Sequence, residues 1–241
     1  MRIYLINLRT VKSRLSAVVV FLFIASIVIT GFNVTDYYVE ASAMTDLPTI
    51  IIDAGHGGED SGAVGNGDIL EKDLNLALSL ELGRQLEEKG YTVVYTRTDD
   101  KLLYTEEENI KGMRKYYDLK NRCDIANGYE NALFISIHQN SYGASKYSGL
   151  QVYYAGQSNE SKALALAIQN SVCKDLQKDN NRKIKNGKGY YILDNCKATS
   201  VIIECGFMSN EAELEKLSQK EYQNQLSFAI ICGIIEYINT N

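Results

Sequence analysis

The sequence is poor in the residues that build most metal and redox sites. It has two histidines in 241 residues, His56 and His138. A catalytic zinc takes three protein ligands plus water, so histidine alone cannot complete such a site here. The five cysteines, Cys123, Cys173, Cys196, Cys205 and Cys232, include no C-x-x-C pair, which argues against zinc held by paired cysteines. An odd number in a chain of this size reads instead as mostly buried free thiols acting as small apolar side chains. Basic charge is also scarce. The formal net charge is −5, and four of the basic residues, Arg2, Arg9, Lys12 and Arg14, sit at the extreme N-terminus. The body is therefore more acidic still, a poor match for nucleic acid, whose phosphates need clustered lysine and arginine. There is one proline, Pro48, and no internal repeat.

The chain begins with a targeting segment. The four basic residues precede an apolar run from Leu15 to Phe32, near the lower length for a bilayer span. Basic residues stay on the cytoplasmic side, so the chain beyond the run is expected outside the cytoplasmic membrane. Residues 1–32 read as a signal peptide or a signal anchor. Ala41-Ser42-Ala43 resembles a cleavage site but lies far beyond the apolar run, which favours the anchor. Residues 33–47 read as a linker and 48–241 as the exported domain.

In that domain, short apolar runs alternate with amphipathic stretches. Thr49–Ile52 has the unbroken apolar character of a strand buried on both faces. Leu74, Leu78, Leu82 and Leu86 recur every fourth residue before Gly90, predicting a helix over 71–89 with a glycine cap. Further strands are expected at 91–96, 133–137, 150–154 and 200–205, and helices at 116–129, 162–176 and 220–238. The order predicts an α/β fold: one domain with a twisted, mostly parallel sheet and helices on both faces.

Each histidine follows an apolar strand, and in open α/β sheets ligands collect at the carboxyl ends of strands. Two histidines at two such ends can converge on a metal. Glu71, opening a helix just after the His56 loop, is the leading third ligand. Its spacing from Asp68 is equally that of a capping box, and the dipole alone favours a glutamate in a first turn, so spacing leaves both roles open. Glu204 follows Val201-Ile202-Ile203 and precedes Cys205-Gly206-Phe207. A carboxylate in so apolar a setting is costly unless it has a task. Hydrolysis at a metal site needs a base, and Glu204 suits that role.

Four segments, Asp53-Ala54-Gly55-His56-Gly57-Gly58, Glu71-Lys72-Asp73-Leu74-Asn75, Ser136-Ile137-His138-Gln139-Asn140-Ser141 and Glu204-Cys205-Gly206-Phe207-Met208-Ser209-Asn210, resemble in order and spacing the zinc-dependent N-acetylmuramoyl-L-alanine amidase family. The resemblance spans about residues 48–240. It implies Zn2+ held by His56, Glu71 and His138, with Glu204 as the catalytic glutamate, and so favours ligation for Glu71. It implies peptidoglycan as substrate, cut between the muramic-acid lactyl group and L-alanine. Asn140 and Asp194 are the expected substrate contacts, Asp53 or Asp60 the carboxylates that orient His56, and Arg122 a structural residue. The sequence departs from the usual pattern at Ala54, Gln139 and Thr199, none of them a ligand. The small, repeat-free build resembles the subgroup acting on spore cortex. Two rivals are a zinc carboxypeptidase, for which no cationic pocket is evident, and an inactive wall-binding module, which would not need all four site residues. The region 156–190 has little room for an inhibitory insertion. External control is therefore expected, including an activating partner protein, with Lys174–Lys188 as its candidate surface.

Overall fold

The computed structural model describes residues 47–241; the apolar run, its basic flank and most of the linker lie outside them. Among the described residues no helix is long and apolar enough to cross a membrane. Pro48–Asn241 forms one compact unit, an α/β domain built on a six-stranded sheet.

In chain order the elements are β1 (Thr49–Ala54), α1 (Glu71–Glu88), β2 (Val93–Tyr95), α2 (Arg114–Asn127), β3 (Ala132–Asn140), β4 (Gln151–Tyr154), α3 (Asn159–Asp175), β5 (Lys185–Asn186), α4 (Tyr191–Asn195), β6 (Thr199–Phe207), α5 (Glu211–Leu217) and α6 (Lys220–Thr240), with a short 3-10 turn at Asn66–Asp68. The sheet order is β2-β1-β3-β6-β4-β5. The strands β2, β1, β3 and β6 run parallel. β4 runs antiparallel to β6, and β5 follows the direction of β4.

The sheet is mostly parallel, as expected, and is made mixed by the one antiparallel pairing of β4 with β6. The reason lies between β3 and β4. A parallel return needs a crossover of a dozen residues or more, usually a helix, and residues 141–150 hold none. Three further elements escaped the sequence pattern: β5, α4 and α5. Each is too short for a two- or 3.6-residue period to show.

Alternation along the central strands sorts the molecule into two faces. Ile50 and Ile52 of β1, Leu133, Ile135 and Ile137 of β3, and Val201, Ile203 and Cys205 of β6 point to one side. There they join Leu74, Leu78, Leu82 and Leu86 of α1, Leu164, Ile168 and Val172 of α3, and Leu226, Ile230 and Ile234 of α6 in a continuous core. Each fully buried leucine or isoleucine contributes about 1.5–3 kcal/mol. Ile51, Phe134 and Ile192 form a smaller cluster on the other side with Cys123 and Ala126 of α2. The same alternation carries Asp53, Ser136, His138 and Glu204 to this second side, at the carboxyl ends of the parallel strands.

Candidate metal centre

The second face opens into a cleft of about 290 Å³ whose walls include His56, Asp60, Glu71, His138 and Glu204. Three of these converge. Glu71 Oε1 lies 3.2 Å from His56 Nε2 and 3.0 Å from His138 Nδ1. The two imidazoles stand edge to face with centroids 5.0 Å apart. One ligand atom from each of the three residues falls within 4.8 Å of the others, a group that could hold a metal ion.

Local sequence explains the convergence. β1 ends at Ala54, and the chain then turns through His56, which adopts a left-handed φ of 62°. This conformation costs an L-residue about 1–2 kcal/mol, so its surroundings must hold it. Two buried arginines do so. Arg122 of α2 donates from Nη1 to the Ala54 carbonyl at 2.7 Å and from Nη2 to the His56 carbonyl at 2.8 Å. Arg97, just beyond β2, donates from Nε to the Ala54 carbonyl at 2.9 Å and from Nη2 to the Gly55 carbonyl at 3.1 Å. Two glycines make the room. A Cβ on Gly55 would collide with the His138 imidazole, and one on Gly62, at φ +65°, would meet the Glu71 carboxylate and the His56 ring.

Glu71 does not enter a capping box. The residue before α1 is Leu70, and no side chain caps the helix. The carboxylate turns inward instead. Its Oε1 accepts from the Gln139 amide at 3.1 Å and Asn75 Nδ2 at 3.3 Å, and its Oε2 accepts from the Ala63 amide at 2.9 Å. Asn75 lies one helical turn on and also donates to the Gly55 carbonyl at 3.1 Å, tying α1 to the His56 loop.

His138 lies inside β3 rather than after it, since that strand runs on to Asn140. Its register partner on β6 is Glu204. Their backbones are therefore one interstrand spacing apart, about 4.8 Å. Glu204 is half-buried, and its Oε2, itself shielded from solvent, has no hydrogen-bond partner. A buried carboxylate oxygen without a partner, aimed into a cleft beside two imidazoles, is an acceptor available to a water or substrate.

Electrostatics separate the carboxylates. Burial raises the Glu204 pKa, and repulsion by Glu71 adds to this, while His138 and His56 pull the other way. Burial acts on Glu71 in the same sense, but hydrogen bonds and attraction from His138 and His56 outweigh it and hold Glu71 well below the usual carboxylate range. Burial disfavours the His56 imidazolium, yet Asp60 and Glu71 together push its pKa up to about 9. Of the two glutamates in the cleft, Glu71 is therefore firmly ionised and Glu204 has a raised proton affinity, the split expected of a ligand beside a base.

The remaining sequence-derived residues fall in different places. Asp60 Oδ2 lies 2.9 Å from His56 Nδ1, an ion-pair distance without hydrogen-bond alignment. Asp53 does not reach His56. It is fully buried and accepts from Thr96 at 2.7 Å, Arg122 at 2.6 Å and Ser136 at 2.6 Å, so it acts on the His56 loop only through Arg122. Arg122 has the structural role expected, with a further hydrogen bond to Asp118 at 2.9 Å. Asn140 and Asp194 do not line the cleft. The Asp194 carboxylate instead accepts from the Gly189 amide at 2.8 Å. Sequence reasoning missed Arg97, Asn75, Tyr190 and Lys115. Asn75, at i+4 from Glu71, was the most accessible of these, since it shares that residue's helix face.

Two imidazoles and a carboxylate are the donor set of a catalytic metal site that keeps an open position, and an unpartnered glutamate beside them adds a base. An α/β domain with this arrangement at its parallel strand ends has the build of a hydrolase. The family model for N-acetylmuramoyl-L-alanine amidase matches residues 50–236, and the chain belongs to that family. It is similar to the germination-specific N-acetylmuramoyl-L-alanine amidase of Bacillus subtilis (strain 168), 37% identical over 188 residues that cover 78% of each protein. It is similar in structure to the CwlD amidase of Clostridioides difficile, solved in complex with the GerS lipoprotein. That match has a TM-score of 0.77 and 40% identity, and covers 81% of this chain and all of that one. The amidase AmiC2 of Nostoc punctiforme matches with a TM-score of 0.68 at 32% identity, over 80% of this chain and 97% of that one.

Proposed function

We propose that the protein is a zinc-dependent N-acetylmuramoyl-L-alanine amidase that hydrolyses the amide between the lactyl group of muramic acid and the L-alanine of the stem peptide. The observation that carries this reading is the meeting of His56, Glu71 and His138 beside an unpartnered, buried Glu204 oxygen. The donor set fits zinc, and His56, Glu71 and His138 would hold it. Zinc bound there supplies a Lewis acid that lowers the pKa of a water to about 7 and polarises a carbonyl.

The rest falls to the chain's own residues. Glu204 accepts the proton of the attacking water and returns it to the departing alanine nitrogen. Its raised pKa brings it towards the range where both transfers are efficient. Asp60 faces the His56 ring at ion-pair distance from Nδ1 and favours its charge. Arg97 and Arg122 fix the His56 backbone, and Asn75 and the Gln139 amide fix the Glu71 carboxylate. Tyr190, Tyr191 and Ile192 add aromatic and apolar surface to the cleft wall.

A carboxypeptidase would need a cation free to bind a terminal carboxylate. Arg122 lines the cleft but donates to Asp53, Ala54, His56 and Asp118. Lys115 is largely exposed and sits 3.3 Å from Asp60. Neither forms such a pocket, which favours the amidase reading.

Spore cortex is the preferred substrate in this reading, supported by the likeness to a germination-specific amidase. The N-terminal segment places the domain outside the cytoplasmic membrane as an anchored or secreted protein. A partner protein activates it, a reading supported by the structural relative solved with a lipoprotein. The surface offered is Lys174–Lys188, part of which borders an open cleft of about 550 Å³ with Gly149 and Lys216. The deciding experiment digests purified wall and cortex with zinc-loaded protein and analyses the fragments by mass spectrometry. New L-alanine amino ends with intact glycan are expected. Cleavage within the peptide or the glycan would overturn the assignment.

A further inference from the structure

Two of the five cysteines are neighbours in space. Cys196 Sγ lies 2.8 Å from Cys123 Sγ, across 73 residues of sequence. That is well inside van der Waals contact for two sulfurs, although longer than the S–S bond of about 2.05 Å. We infer that Cys123 and Cys196 form a disulfide that fastens two walls of the catalytic cleft to each other.

The junction is already organised around the pair. Cys123 Sγ contacts the Ile192 carbonyl of α4 at 3.9 Å. The Lys197 amide, next to Cys196, donates to Asn127 at the end of α2 at 2.8 Å. Tyr116 of α2 meets Tyr191 of α4 edge to face, centroids 5.7 Å apart. Bond formation therefore needs little further ordering. α2 supplies Lys115, Asp118 and Arg122 to the cleft, while the segment ending at Cys196 supplies Tyr190, Tyr191 and Ile192. The link joins these two groups where the apolar packing is thin, in the smaller of the two main clusters. Cys173, Cys205 and Cys232 have no such sulfur neighbour among the described residues.

The chemistry is thiol–disulfide exchange with an external disulfide, R–S–S–R. Cys196 is the more exposed thiol. It loses its proton, attacks one sulfur of the reagent and expels one RS⁻. Cys123 loses its proton, attacks the Cys196 sulfur of the mixed disulfide and expels the second RS⁻. One S–S bond breaks and one forms. The protein gives up two electrons and two protons, and the reagent leaves as two thiols. Nothing in the step depends on the amidase reaction.

The test uses the full chain equilibrated with oxidised glutathione, then denatured in excess maleimide and digested without reductant. Mass spectrometry should find one cross-linked peptide joining Cys123 to Cys196, with Cys173, Cys205 and Cys232 alkylated. The oxidised protein should melt roughly 10 °C above the reduced one, as expected for closing a loop of this length in a domain of this size. That gap should vanish in Cys196→Ser. Maleimide on both Cys123 and Cys196 in the oxidised wild type, or either linked to another cysteine, would overturn the inference. The peptide map reads wild-type protein, so the result stands even if the serine variant folds poorly. Amide cleavage assayed on the same sample keeps a failure of the amidase reading separate from a failure of this one.

Discussion

The two faces of the sheet are built by the same strands and do opposite work. One face receives Ile50, Ile52, Ile135, Ile137, Val201 and Ile203 and is sealed by α1, α3 and α6 in a continuous apolar core. The other receives Ile51 and Phe134 and then turns polar at its carboxyl end, burying Asp53, Asp118, Arg122 and Ser136 beside the cleft. A strand buried on both sides reads as an unbroken apolar run. The run ends where one face stops being core and becomes a reaction chamber. Stability is concentrated on the first face, while the second gives up part of its own to buried charge and a left-handed histidine. Variants on each should therefore fail in different ways.

The largest effect is expected at the metal. His138→Ala should lose bound zinc and all measurable turnover while the apolar core stays intact. Stoichiometric zinc in the purified variant, by metal analysis, would remove His138 from the site. Next comes Glu204→Gln, which keeps shape and zinc but cannot accept a proton. Turnover should fall by about 10²–10⁴-fold with the melting temperature little changed. Near-normal turnover on purified wall would mean that another residue is the base.

On the first face, Leu82→Ala should cost about 2–5 kcal/mol in urea unfolding, with turnover per folded molecule preserved. A variant that loses turnover without stability would break the division between the faces. The smallest effect concerns pH. His56 has its folded pKa raised to about 9 in the metal-free protein, against about 6.5 when unfolded. Its imidazolium contributes stability that is fully present below pH 6.5 and is lost as pH rises through 9. Under the proposed ligation zinc would displace that proton, so the loaded protein should lack this window. Melting curves from pH 6 to 9.5, with and without chelator, would show it, and parallel curves would assign the His56 charge no part in stability.

The legibility of each face has the same physical origin. The apolar core announces itself locally, through leucines every fourth residue in α1 and continuous runs in β1, β3 and β6. The position of His138 opposite Glu204 is non-local. The chemical types and their adjacency to strands could be read along the chain, and the order of four motifs supplied the rest. Arg97 stayed hidden because a lone arginine after a strand is ordinarily solvated, and nothing nearby in sequence says that backbone carbonyls await it. Asp194 was the substrate contact implied by the resemblance, and its carboxylate accepts from the Gly189 amide outside the cleft lining, a local capture that no sequence period announces. The antiparallel β4 results from a connection too short for a crossover, a constraint visible only once the neighbouring strands are assigned.

The register of β3 against β6 has a consequence for how the protein loses activity on heating. The backbones of His138 and Glu204 face each other across one ladder of backbone hydrogen bonds. His56, by contrast, hangs on a loop held by the side chains of Arg97, Arg122 and Asn75. Local opening can free such a loop while central strands remain paired. Warming should therefore release the metal first, at a temperature where the sheet is whole, and cooling with zinc present should restore full activity. Irreversible loss should begin only when the central strands part, which would give the zinc-loaded protein two thermal limits, a lower one for its metal and a higher one for its fold.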